Sequence, residues 1–380
     1  MRSVMRALLR RDAEAWGREW RADWPAHLLD RYGIDLTTRF LGEPVPHPIG
    51  KGSGQLSLRA DQLEADADAG LAFAVLKTVI AQDAQGEQTM GAWAIHETKM
   101  RVERRTTLDG REGWTVTWKG RGWDRSLEEY LALVRSGRDL TRSGRLLAVP
   151  SVKYHLPGGE EPFREGEYQF TTRALEDAWG PGPLLLEKDF SPTLAGDARS
   201  DERATVRRWL REVPRQIRAA ARGPVRLGVK LMNARFDDAF QREMLSDAAD
   251  ADSLTVFNRL WDAEAGVAFG GWDLSDRNLR VLDGVRPAVP LSGTGNVCSG
   301  RMIVEYARRG CSTVQLHTFF QLPLSAYSAT AGSRMARALH ALVFDPRDGL
   351  IAVLIELEER GVLTRRGGRL HFRDLWEPPA

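Results

Sequence analysis

Two short stretches carry the residue types that hold a phosphate. Ser292-Gly293-Thr294-Gly295-Asn296 ends an apolar run and leads into a helical pattern that begins near Ser299. Glycines let backbone N–H groups approach an anion, and a helix N-terminus favours its charge. Leu316-His317-Thr318 ends the next apolar run, so its N–H groups and the Thr318 hydroxyl could complete the cradle. A single glycine turn could be an ordinary tight turn; two such strand ends separated by one helix point to an anion. Lys77 and Lys230 each close an apolar run. A lysine there is costly unless it meets a carboxylate or an anion. Taken singly, each lysine reads as a salt bridge; taken together beside a phosphate cradle, they read as cations over a charged ligand. Ser191, in Glu187-Lys188-Asp189-Phe190-Ser191-Pro192-Thr193, precedes a proline that holds it extended or in a turn. A serine is a weak base unless a neighbour relays its proton, and the motif alone leaves both a catalytic base and a loop cap open.

These residues need a scaffold that gathers strand ends. Eight short apolar runs are candidate strands: 48–54, 71–77, 145–153, 184–190, 225–231, 253–257, 288–293 and 312–318. Such runs suit parallel strands buried on both faces. Helical patterns lie between many of them. The clearest spans Asp201 to Arg222, where Val206, Leu210, Val213 and Ile217 fall on one face, Ser200 or Asp201 can cap the start, and Gly223 can end it. Arg301 to Arg309, ended by Gly310, is a second, and Ser333 to Phe344 and Arg347 to Arg360 read as closing helices. Eight strand–helix units favour a closed (β/α)8 TIM barrel over an open sheet. In that fold chemistry sits at the C-terminal ends of the strands, with phosphate sites recurring after the seventh and eighth.

One stretch breaks the alternation. His96 to Trp118 holds two alternating runs around Leu108-Asp109-Gly110, a hairpin signal. We read an antiparallel insertion at about 91–120, over the barrel mouth. Residues 1–40 read as a helical extension before a barrel of 41–380. Trp16, Trp20 and Trp24 recur every four residues, as one stripe on one helix flanked by arginines. Packing of that stripe on the barrel is the favoured reading, with a membrane-surface helix as the alternative. Gly42, Pro44, Pro46 and Pro48 read as an extended lead-in.

Composition excludes several classes. Lys+Arg of 54 against Asp+Glu of 52 leaves a net charge of +2, which does not support a nucleic-acid footprint. The two cysteines, Cys298 and Cys311, cannot by themselves hold a four-cysteine zinc or an iron–sulfur cluster, and read as buried thiols in a reducing cytoplasm. No metal site is expected. No apolar stretch reaches the roughly 20 residues of a membrane span, and Met1 to Arg11 lacks the apolar centre of a signal peptide.

In this order, the elements resemble the dihydroorotate dehydrogenase family from about Pro48 to just past Thr318. VPLSGTGNVCSGRMIVEYARRGCSTVQLHTFF, Val289 to Phe320, resembles the paired glycine turn, helix and closing strand that hold the FMN phosphate. VKL at Val229 to Leu231 is similar to the flavin-contacting lysine strand, and Lys77 in VLKTV to the second-strand lysine. GKGSG, Gly50 to Gly54, resembles the loop that runs under the isoalloxazine, and Gly270-Gly271 the Gly-Gly pair before a serine. The resemblance therefore implies that Gly52, Ser53, Gly54, Lys77, Lys230, Gly270, Gly271, Gly293, Thr294, Gly295, His317 and Thr318 contact FMN. It also implies that Ser191 is the catalytic base, with Lys230 steadying charge on the flavin.

The substrate half of the pattern departs from the family. Lys188 and Thr193 stand where asparagines are expected, Trp118 falls on another, and Gly120 to Leu131 replaces an asparagine-rich loop. Asn258 keeps its place, beside Arg259 in place of a small residue. Each lost amide removes a hydrogen bond worth about 1–3 kcal/mol when the partner is left buried and unpaired. The expectation is an FMN-dependent oxidoreductase for a C–C bond next to a carbonyl or amide, with dihydroorotate not its substrate and Lys188, Thr193, Asn258, Arg259 and Trp118 around it. The second electron partner, whether quinone, nicotinamide, oxygen or a protein, is open, as is a homodimer. The alternatives are a genuine dihydroorotate dehydrogenase and a flavin-free phosphate-binding barrel.

Overall fold

The computed structural model describes residues 2–91, 101–106, 110, 112–117, 122–190, 202–234, 236–262, 267–269 and 271–377. All eight apolar runs form strands: β1 (Ile49–Lys51), β2 (Phe73–Ile80), β3 (Leu147–Lys153), β4 (Leu184–Asp189), β5 (Val225–Met232), β6 (Ser253–Asn258), β7 (Leu291–Thr294) and β8 (Cys311–Leu316). They pair in parallel in chain order, and β8 returns to β1 through Val314 opposite Ile49, closing a (β/α)8 barrel. β2 is buried along its whole length. Helices wrap one face of each strand while the other face fills the barrel, which is why these strands read as continuous apolar runs.

The helix Arg203–Ala220 buries Val206, Leu210, Val213 and Ile217, as the 4-3-4 spacing predicts. Its ends differ from the expectation. Glu202 is the N-cap residue, and its carboxylate accepts from the Thr205 hydroxyl at 2.9 Å; Ser200 and Asp201 lie outside the described residues. The helix stops at Ala220 rather than at Gly223. The Glu176 carboxylate takes the backbone N–H groups of Arg222 and Gly223, at 3.0 and 2.8 Å, which draws the chain off the helical path. Gly300–Ala307 starts at Ser299, whose hydroxyl accepts from the Met302 N–H, and Arg334–Phe344 starts at Ser333, which accepts from Ala336. Leu350–Glu359 follows.

The tryptophans do not form one helical stripe. Arg2–Arg18 ends before Trp20, and Trp24 opens a second helix, Trp24–Tyr32, with Pro25 in its first turn. Pro25 lacks the N–H that a continuous helix would need and is tolerated at a helix start. The packing reading still describes the rings. Trp20 and Trp24 donate their indole N–H groups to the carbonyls of Ala69 and Gly70, before β2, and Trp16 stacks on Phe344 at 5.4 Å. Among the described residues no helix is long and apolar enough to cross a membrane.

The expected lead-in before β1 is a tight hairpin, Thr38–Phe40 against Glu43–Val45. Leu41 and Gly42 both adopt positive φ, as a two-residue hairpin turn requires. It plugs the N-terminal end of the barrel. Phe40 stacks on Phe73 of β2 at 4.0 Å, and the Thr38 hydroxyl donates to the Ser312 carbonyl of β8. At the other end, Arg101–Thr106 pairs antiparallel with Glu112–Thr117 between β2 and β3, where the Asp109-Gly110 signal places a hairpin. A second ribbon, Leu260–Asp262 against Val267–Phe269, follows β6 and adjoins the first; the sequence reading did not anticipate it.

Candidate functional site

A cleft opens at the C-terminal ends of β1, β5, β6, β7 and β8. Nine of the residues singled out in the sequence line it: Gly52, Ser53, Lys230, Asn258, Arg259, Thr294, Gly295, His317 and Thr318. They come from five separate strand ends, and closure of the barrel alone brings them together.

The turn after β7 lines one end of the cleft. Gly295 has φ +95 and Asn296 φ +53, so the chain doubles back tightly. From behind, the Tyr306 hydroxyl lies 2.8 Å from the Thr294 carbonyl and 2.9 Å from that of Gly295, and the Asn278 amide donates to Thr294 O at 2.9 Å. In a trans peptide the N–H points opposite the C=O. Carbonyls tied inward therefore turn the N–H groups of Gly295 and Asn296 outward, towards the cleft. Gly293 lies beneath the turn. A Cβ there would come within 2.6 Å of the Tyr306 ring, so its glycine seats the tyrosine, and it is not among the residues lining the cleft.

Cationic side chains lie near this turn. His317, at the end of β8, is half-buried in the cleft wall. Its Nε2 accepts from the Leu56 N–H at 3.4 Å, which leaves the ring proton on Nδ1. Burial, and then the positive charges of Arg259, Lys51, Lys77 and Lys230, hold its imidazole well below the ordinary value of 6.5. Four cations thus lie near enough to disfavour a charge on this ring. Lys51 meets the Asp66 carboxylate, and Lys230 Nζ lies 3.9 Å from Glu187 Oε1. The linkage has a definite sign. Below pH 6.5 the unfolded chain takes up a proton at this position and the folded chain does not, so stability falls as pH falls. His317→Gln removes one such proton. Its unfolding free energy should fall less than that of the unaltered protein, by about 1.4 kcal/mol between pH 7.5 and 5.5, read by urea unfolding at the two values.

Gly54 packs directly behind His317, where a Cβ would lie 2.0 Å from the ring. Lys77 is buried in β2, with its backbone N–H donating to the Ser57 carbonyl, and is not part of the cleft lining. Gly271 is the N-cap of the helix Trp272–Leu282, whose Leu274 lines the cleft, but is not itself part of the lining. Lys188 departs from its expected place at the substrate. Its neighbours Glu187 and Asp189 face into the barrel, so the alternation of β4 turns Lys188 outward. Its Nζ donates to the Asp189 carbonyl and sits 4.5 Å over the Phe190 ring. Burial, then the charge of Lys153, brings its amine down to about 7, with Asp189 and Glu167 acting the other way. Ser191, Thr193, Trp118 and Gly270 lie outside the described residues. Cys311 is buried; Cys298 lines the cleft, with its thiol pushed up to about 12 by burial and then by Asp348.

The floor of the cleft carries groups the sequence reading missed. Gln315 of β8 reaches across the barrel, donating through Nε2 to Glu187 Oε2 of β4 at 2.7 Å and to Thr255 Oγ1 of β6 at 3.0 Å. The Thr255 hydroxyl donates to the same carboxylate oxygen at 3.4 Å. A second chain links Ser53 to Thr78 at 2.9 Å, Thr78 to Ser151 at 3.0 Å, and Thr78 to Asp189 at 3.3 Å. Their one sequence signal was polar residues, such as Glu187 and Asp189, at alternate positions of an apolar strand.

The residues present suit an organic phosphate with a polar ring system. The β7 turn offers outward N–H groups, Thr318 a hydroxyl, Lys230 and Arg259 positive charge, and Gly52 a surface without a side chain. Among the described residues no group of three or more His, Cys, Asp or Glu side chains could hold a metal ion. No family model matches the sequence, and no curated protein matches it either.

Proposed function

We propose that this protein is an FMN-dependent oxidoreductase with the layout of the dihydroorotate dehydrogenases and a different substrate. One observation carries the reading: residues that the resemblance assigns to FMN, drawn from β1, β5, β7 and β8, line a single cleft with a phosphate-type turn at one end and Lys230 in its floor. FMN, when bound, supplies a two-electron acceptor for hydride. The protein's own residues do the rest. The N–H groups of Gly295 and Asn296 and the Thr318 hydroxyl hold the phosphate. Lys230 supplies positive charge where electron density grows on reduction, an arrangement that counts for more in a water-poor site. Ser191, two residues past β4, keeps the role of base that the resemblance gives it and takes the proton next to the substrate carbonyl. Asn258 and Arg259 at the end of β6 favour an anionic or carbonyl-rich substrate.

The test begins with colour. Purified protein is expected to be yellow or to take up added FMN with quenching of flavin fluorescence; protein that does neither rules the reading out. Ser191→Ala is then expected to bind FMN normally and to slow flavin reduction by substrate at least tenfold, within the usual range for loss of general-base assistance. Stopped-flow absorbance at the flavin band reads this. Unchanged kinetics would remove Ser191 from the mechanism.

A further inference from the structure

We propose that Gln315 is the acceptor for an imide N–H of the bound ligand and, with Lys230, makes the cleft floor specific for a cyclic imide edge. The inference rests on the flavin reading and names the contact that would orient the ring. Gln315 is 2 % exposed and lines the cleft. Both its amide hydrogens are committed, to the Glu187 carboxylate and to the Thr255 hydroxyl. The amide orientation is thereby fixed, and its Oε1 is buried with no hydrogen-bond partner among the described residues. A buried acceptor left unmatched costs stability unless something fills it.

The orphan oxygen has a defined neighbourhood. A Cβ built on Gly52 would stand 3.3 Å from Gln315 Oε1 and 3.6 Å from Lys230 Nζ. The missing side chain at Gly52 therefore leaves one small patch of floor flanked by an acceptor and a cationic donor. An edge with one N–H and an adjacent C=O matches it: the N–H donates to Oε1 and the carbonyl accepts from Nζ. The pyrimidine ring of an isoalloxazine presents this edge, with N3–H between two carbonyls. Glu187 is a positioning residue, since it touches Gln315 and Lys230 rather than the ligand.

The test compares FMN with 3-methyl-FMN, which lacks the N3 hydrogen, by fluorescence titration of the apoprotein. The unaltered protein is expected to bind FMN at least tenfold more tightly. Gln315→Leu should bring the two affinities within twofold. Glu187→Gln, which frees the Gln315 amide to turn over, should narrow the gap in the same direction, a change that lost stability alone would not produce. If Gln315→Leu does not fold, the N3 proton of 15N-labelled FMN in the unaltered complex decides: exchange with solvent slowed at least tenfold supports the contact, and exchange at the free rate overturns it. Equal affinity for both flavins overturns the proposal and leaves the flavin reading standing. No binding of FMN at all overturns both.

Discussion

Gly295→Ala is expected to destroy phosphate-dependent binding and to destabilise the barrel by roughly 3 kcal/mol or more. Two effects add. Gly295 sits at φ +95, a conformation costly for any residue with a Cβ. The new methyl would stand 2.6 Å from Asn278 Nδ2 and 2.9 Å from the Phe257 carbonyl. Asn278 cannot yield cheaply. Its amide bonds to Phe257 O at 2.8 Å and to Thr294 O at 2.9 Å, and its oxygen accepts from Asn233 at 3.0 Å, all of it buried. Displacing it releases the carbonyl that turns the peptide N–H towards the cleft. The informative measurement compares FMN with riboflavin, which lacks the phosphate. The unaltered protein should prefer FMN by at least 100-fold, and folded Gly295→Ala should bind the two alike. A variant that kept the preference would place the phosphate elsewhere.

Lys230→Ala is expected to cost about 3–5 kcal/mol and at least 100-fold in FMN affinity. Lys230 and Glu187 are both nearly fully buried, with their charged ends 3.9 Å apart. Burial pushes the Glu187 carboxyl up, while Lys230, Gln315 and Thr255 act to lower it. Without the lysine the carboxyl rises further. Above its folded value the variant carries an uncompensated buried charge; below it the carboxyl is protonated and the penalty shrinks. The stability gap to the unaltered protein should therefore be widest at neutral pH and should narrow as pH falls towards the range where Glu187 protonates. Adding Glu187→Gln should recover most of the stability and none of the FMN affinity. Urea unfolding from pH 5 to 7.5, with flavin titration of both variants, separates the two roles. Recovery of binding in the double variant would mean that the lysine matters only as a partner for Glu187.

The sequence by itself determined the eight strands, the parallel barrel and the register of the helices. Those follow from local rules: apolar runs of strand length, helical spacing such as Val206–Leu210–Val213–Ile217, and serines at the first turn. The tight turn at the Gly-rich end of β7 and the strand end before Thr318 were legible for the same reason, because both are written in consecutive residues. The tertiary structure decided what no window of sequence contains. Gln315 and Glu187 are 128 positions apart and meet only because the sheet closes on itself. Lys188 and Lys230 look alike in sequence, and the pleat of each strand, which sends alternate side chains to opposite faces, puts one among the helices and the other at the cleft. The C-terminal end of the helix Arg203–Ala220 and the break between Trp16 and Trp24 were set in the same way, by the Glu176 carboxylate of a neighbouring helix and by indole contacts to carbonyls at the rim of the barrel. Local backbone preference fixed which elements form; burial of charge inside a closed sheet fixed which side chains can act.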